Sequence, residues 1–235
     1  MEDKVTLVAG GTGGLGRAVS LALLEAGAHV VATYRNVQEF DALQSSAAAN
    51  RESLEGHQVD VTDEAATGQL IDKVVAAHGR LDAMVNTVGG YAGGVSLWDL
   101  DTKVFDQMLG LNLRAGYALA RASVRVMLKQ RSGSIVNVAA KAAVDHGAGA
   151  GAYAASKAAA VAMMDSLAAD LKGTGVRVNS ILPSIIDTEA NRKAMPGGNF
   201  TVWPKPEEIA RVIVFLCSDG AKVIHGASVP VYGDS

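Results

Sequence analysis

Val5-Thr6-Leu7-Val8-Ala9-Gly10-Gly11-Thr12-Gly13-Gly14-Leu15-Gly16 is the stretch from which the rest of the chain can be read. A short apolar run enters a glycine-rich turn, and the turn opens a segment at 15–26 with helix-like patterning. Glycine there lets the chain turn tightly, lets backbone N–H groups approach a pyrophosphate, and lets the helix pack closely on the strand. The helix N-terminus then offers its partial positive charge to the anion. A flexible turn would share this composition, but a place after the first strand and before the first helix is the context that a dinucleotide site requires.

The same unit recurs outward from it. Apolar runs at 5–8, 30–33, 58–61, 83–86, 135–138 and 176–182 lead to longer amphipathic stretches at 15–26, 37–49, 64–78, 102–130, 153–171 and 206–218, and a run at 228–231 closes the series. Val5-Thr6-Leu7-Val8 and Ile135-Val136-Asn137-Val138 do not alternate in and out, so they read as strands buried on both sides. Strand–helix alternation predicts an α/β fold, a doubly wound parallel sheet of about seven strands with helices on both faces. No composition break or low-complexity linker divides residues 1–235, which read as a single domain.

The 21 basic and 24 acidic residues give a net charge of −3 without a cationic tract, which excludes an electrostatic basis for nucleic-acid or anionic-membrane binding. Cys217 is the only cysteine, so no internal disulfide forms, consistent with a reducing compartment. Met1-Glu2-Asp3-Lys4 lacks the basic-then-apolar order of a secretory signal, and no apolar run nears the roughly 18 residues of a membrane span. The expectation is a soluble cytoplasmic protein that acts on a small molecule, with no nucleic-acid or membrane partner; no metal ligands are assigned.

Two further stretches carry chemistry. The second strand ends His29-Val30-Val31-Ala32-Thr33-Tyr34-Arg35-Asn36, with no acid before Glu39. A carboxylate at this point accepts hydrogen bonds from both ribose hydroxyls of NAD, whereas Arg35 is suited to a 2′-phosphate. The expected cofactor is therefore NADP rather than NAD, although an arginine stacked on the adenine would suit either. In Ala152-Tyr153-Ala154-Ala155-Ser156-Lys157, Tyr153 and Lys157 are four apart and so share one helix face. A phenol with an ordinary pKa near 10 is a poor catalyst at neutral pH, and a nearby ammonium together with an oxidised nicotinamide favours its phenolate.

The spacing Gly10-x-x-x-Gly14-x-Gly16, followed by Asn86-Thr87-Val88-Gly89 and Tyr153-x-x-x-Lys157, resembles the short-chain dehydrogenase/reductase family over essentially all of residues 5–233. The resemblance implies a single-domain Rossmann fold and hydride transfer between a nicotinamide and a carbonyl or conjugated-ring substrate. Tyr153 would be the general acid/base and Lys157 its tuner, also bonded to the nicotinamide ribose. Asn112 would hold a water that links Lys157 to solvent. The cofactor would lie against Gly10, Thr12, Gly14, Leu15, Gly16 and Arg35, with Asp60 and Val61 at the adenine and Asn86 and Gly89 on the adenosine side. The backbone of Ile186 would meet the carboxamide, and Thr188 the carboxamide or the phosphates. Residues 189–206 would form a substrate lid in which Met195, Phe200 and Trp203 either cover a ring or anchor the loop. The segments 102–130 and 153–171 would build a homodimer or homotetramer interface.

Three departures stand out against the family's pattern. Asn86-Thr87-Val88-Gly89 replaces the usual Asn-Asn-Ala-Gly, Ser184 stands where glycine is usual, and Ala140, thirteen residues before Tyr153, stands where the family has its catalytic serine. Dihydropteridine reductase, in the same family, also keeps the tyrosine and lysine without the serine, which permits a substrate other than a plain ketone. Lys141, Asp145 and His146 follow Ala140 but read as solvated surface. Ala140 also keeps open a rival reading, a dinucleotide-binding sensor or assembly subunit with little catalysis; Tyr153, Lys157 and Asn112 together argue against it.

Overall fold

The computed structural model describes residues 1–235. Leu7 and Val8 are neighbours on a strand, so they face opposite sides of the sheet, yet both are fully buried. That requires a covering layer on each side. The strands β1 (Val5–Ala9), β2 (His29–Tyr34), β3 (Leu54–Gln58), β4 (Ala83–Asn86), β5 (Gly133–Val138), β6 (Val176–Pro183) and β7 (Ser228–Val231) form one sheet in the order β3-β2-β1-β4-β5-β6-β7. Every neighbouring pair is parallel.

The helices are α1 (Gly14–Glu25), α2 (Val37–Ala47), α3 (Glu64–His78), α4 (Thr102–Leu109), α5 (Ala115–Gln130), α6 (Gly151–Asp170), α7 (Glu189–Ala194) and α8 (Pro206–Cys217). On one face Leu23 of α1, Leu43 of α2 and Ile213 of α8 pack with Val8, Val30 and Val136. On the other, Ile71 of α3, Leu119 of α5 and Met164 of α6 pack with Leu7, Val31 and Ile135. Local chemistry sets the helix ends: the Asp63 carboxylate accepts the N–H groups of Ala65 and Ala66 at the start of α3, and Gly79, at φ +72°, closes it. Strand order reverses between β1 and β4, and the crevice above their carboxyl ends is where ligands bind in such sheets.

Four stretches differ from the sequence reading. The third strand is Leu54–Gln58, not 58–61. As an edge strand it is covered on few sides, and only Leu54 is fully buried, so no apolar run marks it. Residues 37–49 do not form one helix: α2 stops at Ala47 and a 3-10 turn, Ala48–Ser53, follows. The segment 102–130 is interrupted by a π turn, Gly110–Arg114, between α4 and α5. Residues 189–206, which show no clear period in sequence, contain α7 and a 3-10 turn, Phe200–Val202.

Candidate active site

The glycine loop joins β1 to α1 and is shaped by close approach. Gly10 has φ +74°, and a Cβ on Gly16 would collide with the Gly10 carbonyl oxygen. A Cβ on Gly14 would lie 2.9 Å from Cγ2 of Thr188. The Gly10 N–H donates to Oγ1 of Thr33 (2.9 Å) and the Gly11 N–H to the Thr33 carbonyl (3.0 Å), so β2 fixes the loop. Gly13 caps α1 without a side chain, which leaves the first-turn N–H groups directed at the crevice. Leu15 points away, into the core.

A groove of about 200 Å³ runs from this loop along the ends of β2 and β4, lined by Gly10, Thr12, Arg35, Asp60, Val61 and Gly89 among others. The Asp60 carboxylate accepts from the Thr62 N–H (3.0 Å) and Oγ1 (2.7 Å), bonds which, with a smaller contribution from Arg35, hold it below the usual carboxylate range. Glu39, which the sequence reading leaves without a role, also lines the groove and accepts a hydrogen bond from Oγ1 of Thr12 (2.9 Å). Only the three-dimensional path of α2 over the loop reveals it. Tyr34 stacks on Phe40, with ring centroids 4.8 Å apart.

Asn86 is buried and internally engaged. Its Nδ2 donates to Oδ1 of Asn137 on β5 (2.9 Å), and its Oδ1 accepts from the Val88 N–H (3.1 Å). It thus shapes the turn to Gly89 and does not itself line the groove. A Cβ on Gly89 would sit 2.8 Å from Oδ1 of Asn112 and 3.1 Å from Nζ of Lys157. The glycine therefore admits both side chains to one place. Asn112, inside the π turn, is clamped: its Oδ1 accepts from the Gly90 N–H (2.9 Å), and its Nδ2 donates to the Gly90 carbonyl (3.0 Å) and to Oγ of Ser156 (3.0 Å). Ser156 in turn donates to the Tyr153 carbonyl (2.7 Å), tying the π turn to α6; its position beside Lys157 was the only sequence signal for it.

Tyr153 and Lys157 both lie in the first half of α6, as their spacing requires. Lys157 is fully buried, and burial brings its pKa down to about 8; its Nζ donates to the Val138 carbonyl (3.0 Å). The Tyr153 phenol moves the opposite way to expectation. Burial, with a smaller contribution from Tyr91, pushes it up to about 12. The physical reason is that the Lys157 ammonium is turned to a carbonyl, so desolvation of the phenolate dominates. The Tyr91 ring meets Tyr153 edge-on at 4.9 Å. Tyr91 is exposed, as are Leu97 and Trp98 further along the same loop, and Leu97 lies against Gly151 at the start of α6. Ala140 is buried at the end of β5, and Lys141 is drawn off to Asp145 (3.7 Å) and the Tyr232 ring.

On the last side, Oγ of Ser184 donates to the Tyr232 carbonyl (2.7 Å), so the hydroxyl is used structurally. The Ile186 carbonyl accepts from Nδ2 of Asn191 (2.8 Å), and Oγ1 of Thr188 accepts from the Asn191 N–H at the start of α7 (3.2 Å). Trp203 is buried and packs on Phe200 at 4.9 Å, and Arg192 lies over Phe200 while pairing bidentately with Asp187. Of the two readings for Trp203, anchoring of the loop is the one its burial fits.

Comparison with known proteins agrees with this geometry. The model of the family described as short chain dehydrogenase matches residues 4–197. A 3-oxoacyl-[acyl-carrier-protein] reductase, FabG, from Thermotoga maritima is 32% identical, over 99% of this chain and 98% of that protein. A D-threitol dehydrogenase from Mycolicibacterium smegmatis is 34% identical, over 99% and 93%. Among solved structures, ElxO with NADP bound superposes with a TM-score of 0.92 at 25% identity, over 99% of this chain and 98% of that one. A short-chain type dehydrogenase/reductase from Mycobacterium ulcerans gives 0.94 at 28%, over 100% and 90%. With a family match that spans most of the sheet and all of the crevice described above, the chain belongs to the short-chain dehydrogenase/reductase family of oxidoreductases.

Proposed function

We propose that the protein is an NADP-dependent reductase of a carbonyl or conjugated-ring substrate, with Tyr153 as its proton donor. The observation that carries the reading is the meeting of Asn112 and Lys157 at Gly89, where the groove from the glycine loop ends, with Tyr153 one turn before Lys157 on α6. The groove fits a dinucleotide: the cradle at Gly10, Gly14 and Gly16 leaves no room for a Cβ, and the start of α1 is uncapped. Thr12, Asp60, Val61 and Gly89 line its length, Thr188 lies against Gly14, and Asn86 holds the turn to Gly89; Leu15 and Ile186 would serve through their backbone. Arg35 favours the 2′-phosphate, and the ElxO structure, with NADP bound, supports the same choice.

Bound NADPH supplies the hydride. Tyr153 supplies the proton, from Oη to the substrate oxygen or ring nitrogen as electron density arrives there. A phenol held at about 12 by the protein alone stays protonated at neutral pH, which suits the reductive direction. Lys157, swinging from the Val138 carbonyl toward the phenolate that remains, would stabilise it and replace its proton. Asn112 positions the path to solvent: the π turn leaves a backbone carbonyl outside the regular ladder, where a water can be held. Ala140 leaves the substrate oxygen without the family's serine hydroxyl, so the proposed substrate is one whose acceptor atom needs less help than a plain ketone. Exposed Tyr91, edge-on to Tyr153, gives it an apolar wall, and the lid at 189–206 closes over it. Residues 1–235 act as one domain, as a cytoplasmic homodimer or homotetramer through α4, α5 and α6.

NADPH oxidation by the wild-type chain and by Tyr153→Phe, over quinonoid dihydropterin, quinones, β-ketoacyl thioesters and simple ketones, tests this reading. The expected result is turnover of at least one class, lowered about 10²–10⁴-fold in Tyr153→Phe with NADPH affinity kept. Equal rates would overturn the role of Tyr153, and binding without any turnover would favour the sensor.

A further inference from the structure

Three of the five histidines gather around one carboxylate, Glu55, where β2, β3 and the end of α3 meet. His29 is the first residue of β2, whereas the cofactor groove opens at the other end of that strand, at Arg35. Glu55 and His57 are two apart on β3 and so share one face of the sheet. Glu55 is in register with Val31, which packs in the core beneath α3, so this is the face that α3 covers. His78 is the last residue of α3. Nε2 of His78 lies 2.9 Å from Oε2 of Glu55, and Nε2 of His57 lies 2.5 Å from the other carboxylate oxygen, Oε1. The His29 and His78 rings are 4.3 Å apart, and one donor atom from each of His29, Glu55 and His78 falls within 4.8 Å of the others.

We propose that His29, Glu55 and His78 bind one transition-metal dication of the zinc class, with His57 orienting the Glu55 carboxylate from its second oxygen. Two imidazoles and a carboxylate are the donor set of an open tetrahedral site, in which water takes the fourth position. Nitrogen donors select zinc, cobalt, nickel or copper over magnesium and calcium. Metal–ligand distances near 2.0–2.2 Å place tetrahedral donor atoms roughly 3.3–3.6 Å apart, so a spread of 4.8 Å closes by modest rotation of side chains. All four groups are half-buried, which leaves room for that rotation and for the water. Two strands and a helix end carry them, so the backbone is already in place. The bond from His57 to the non-ligating oxygen is the arrangement by which a neighbour fixes a metal-binding carboxylate. The ion would pin edge strand β3 to β2 and to the end of α3, remote from the hydride chemistry.

The test uses the untagged full-length chain, stripped with a chelator and then titrated calorimetrically with Zn²⁺ alone. Co²⁺ serves as a spectroscopic stand-in. The proposal expects one ion per chain, an intense visible band of tetrahedral cobalt, and a thermal midpoint raised by Zn²⁺. His57→Ala should weaken binding about 10–100-fold, and His29→Ala or His78→Ala more than that. Glu55→Gln, which keeps the side-chain shape, should lose the tetrahedral band while its circular dichroism stays native, so that loss of binding is separated from loss of fold. Tyr153→Phe should bind zinc as wild type does. Failure of the stripped wild type to take up zinc would overturn the site. So would undiminished binding in the His29→Ala/His78→Ala double variant.

Discussion

Nζ of Lys157 donates to the Val138 carbonyl at 3.0 Å, across from β5 to α6, and the amine is otherwise shut away from water. One carbonyl does not replace the hydration of an ammonium, which is why burial lowers its pKa to about 8. Below pH 8 both folded and unfolded chains hold the proton, and the folded state bears the full cost of the buried charge. Between about 8 and 10.5 only the unfolded chain keeps it, so stability of the nucleotide-free protein rises with pH. Cys217, raised to about 12 by burial, works the other way above its ordinary value of 9. The rise should therefore be clearest from pH 8 to 9, at about 1 kcal/mol per unit. Urea denaturation at several pH values checks it, and in Lys157→Met the rise should vanish while stability near neutral pH increases.

Gly16 and Gly68 give a matched pair. A Cβ on Gly16 meets the Gly10 carbonyl oxygen, while one on Gly68, within α3, meets nothing within 4 Å. Gly16→Ala should cost about 1–3 kcal/mol or more through overpacking and should abolish nucleotide binding. Gly68→Ala should stabilise the chain by about 0.4–1 kcal/mol with nucleotide binding unchanged. Thermal melting and NADPH fluorescence titration read both.

Arg35 and Glu39 face the same groove with opposite charge, and Thr12 holds the carboxylate there. Arg35→Ala should weaken NADPH about 10–150-fold, the value of one charged hydrogen bond, with little change for NADH. Glu39→Gln removes a charge that repels the 2′-phosphate and should tighten NADPH over NADH. Dissociation constants for both nucleotides on each variant measure the two effects.

Ala140 is buried at the end of β5, thirteen residues ahead of Tyr153. If a missing hydroxyl limits ketone chemistry, Ala140→Ser should raise kcat/KM for simple ketones about 10–150-fold, the equivalent of one hydrogen bond to developing charge. Steady-state kinetics with one ketone and one quinonoid substrate checks this, the second changing far less.

What could be read in advance was what the chain encodes locally. The Gly10–Gly16 turn and the Tyr153–Lys157 pair each depend on spacings of a few residues, and the doubly buried β1 and β5 announce themselves as apolar runs. What escaped was decided by packing. Strand β3 is polar because only one residue of it is fully covered, so its neighbours Val59 and Val61 drew the strand assignment instead. The π turn at Asn112 carries no residue that forbids an ordinary helix; its bonds to Gly90 and Ser156 come from other elements. The raised phenol of Tyr153 reflects where the Lys157 amine turns, which spacing does not specify. The His29, Glu55 and His78 group is assembled from three elements and leaves no motif.

The five-residue stretch Gly110–Arg114 contains one residue more than an unbroken α-helical ladder would use. Since each residue advances a helix by about 100°, that surplus sets the rotational phase between α4 and α5. Deleting one residue here would mend the ladder and strengthen the helix in isolation. It would also swing α4 off α6 and take the Asn112 amide out of reach of Gly90. A defect by the standards of the isolated helix is in this chain what keeps two ends of the machine in step.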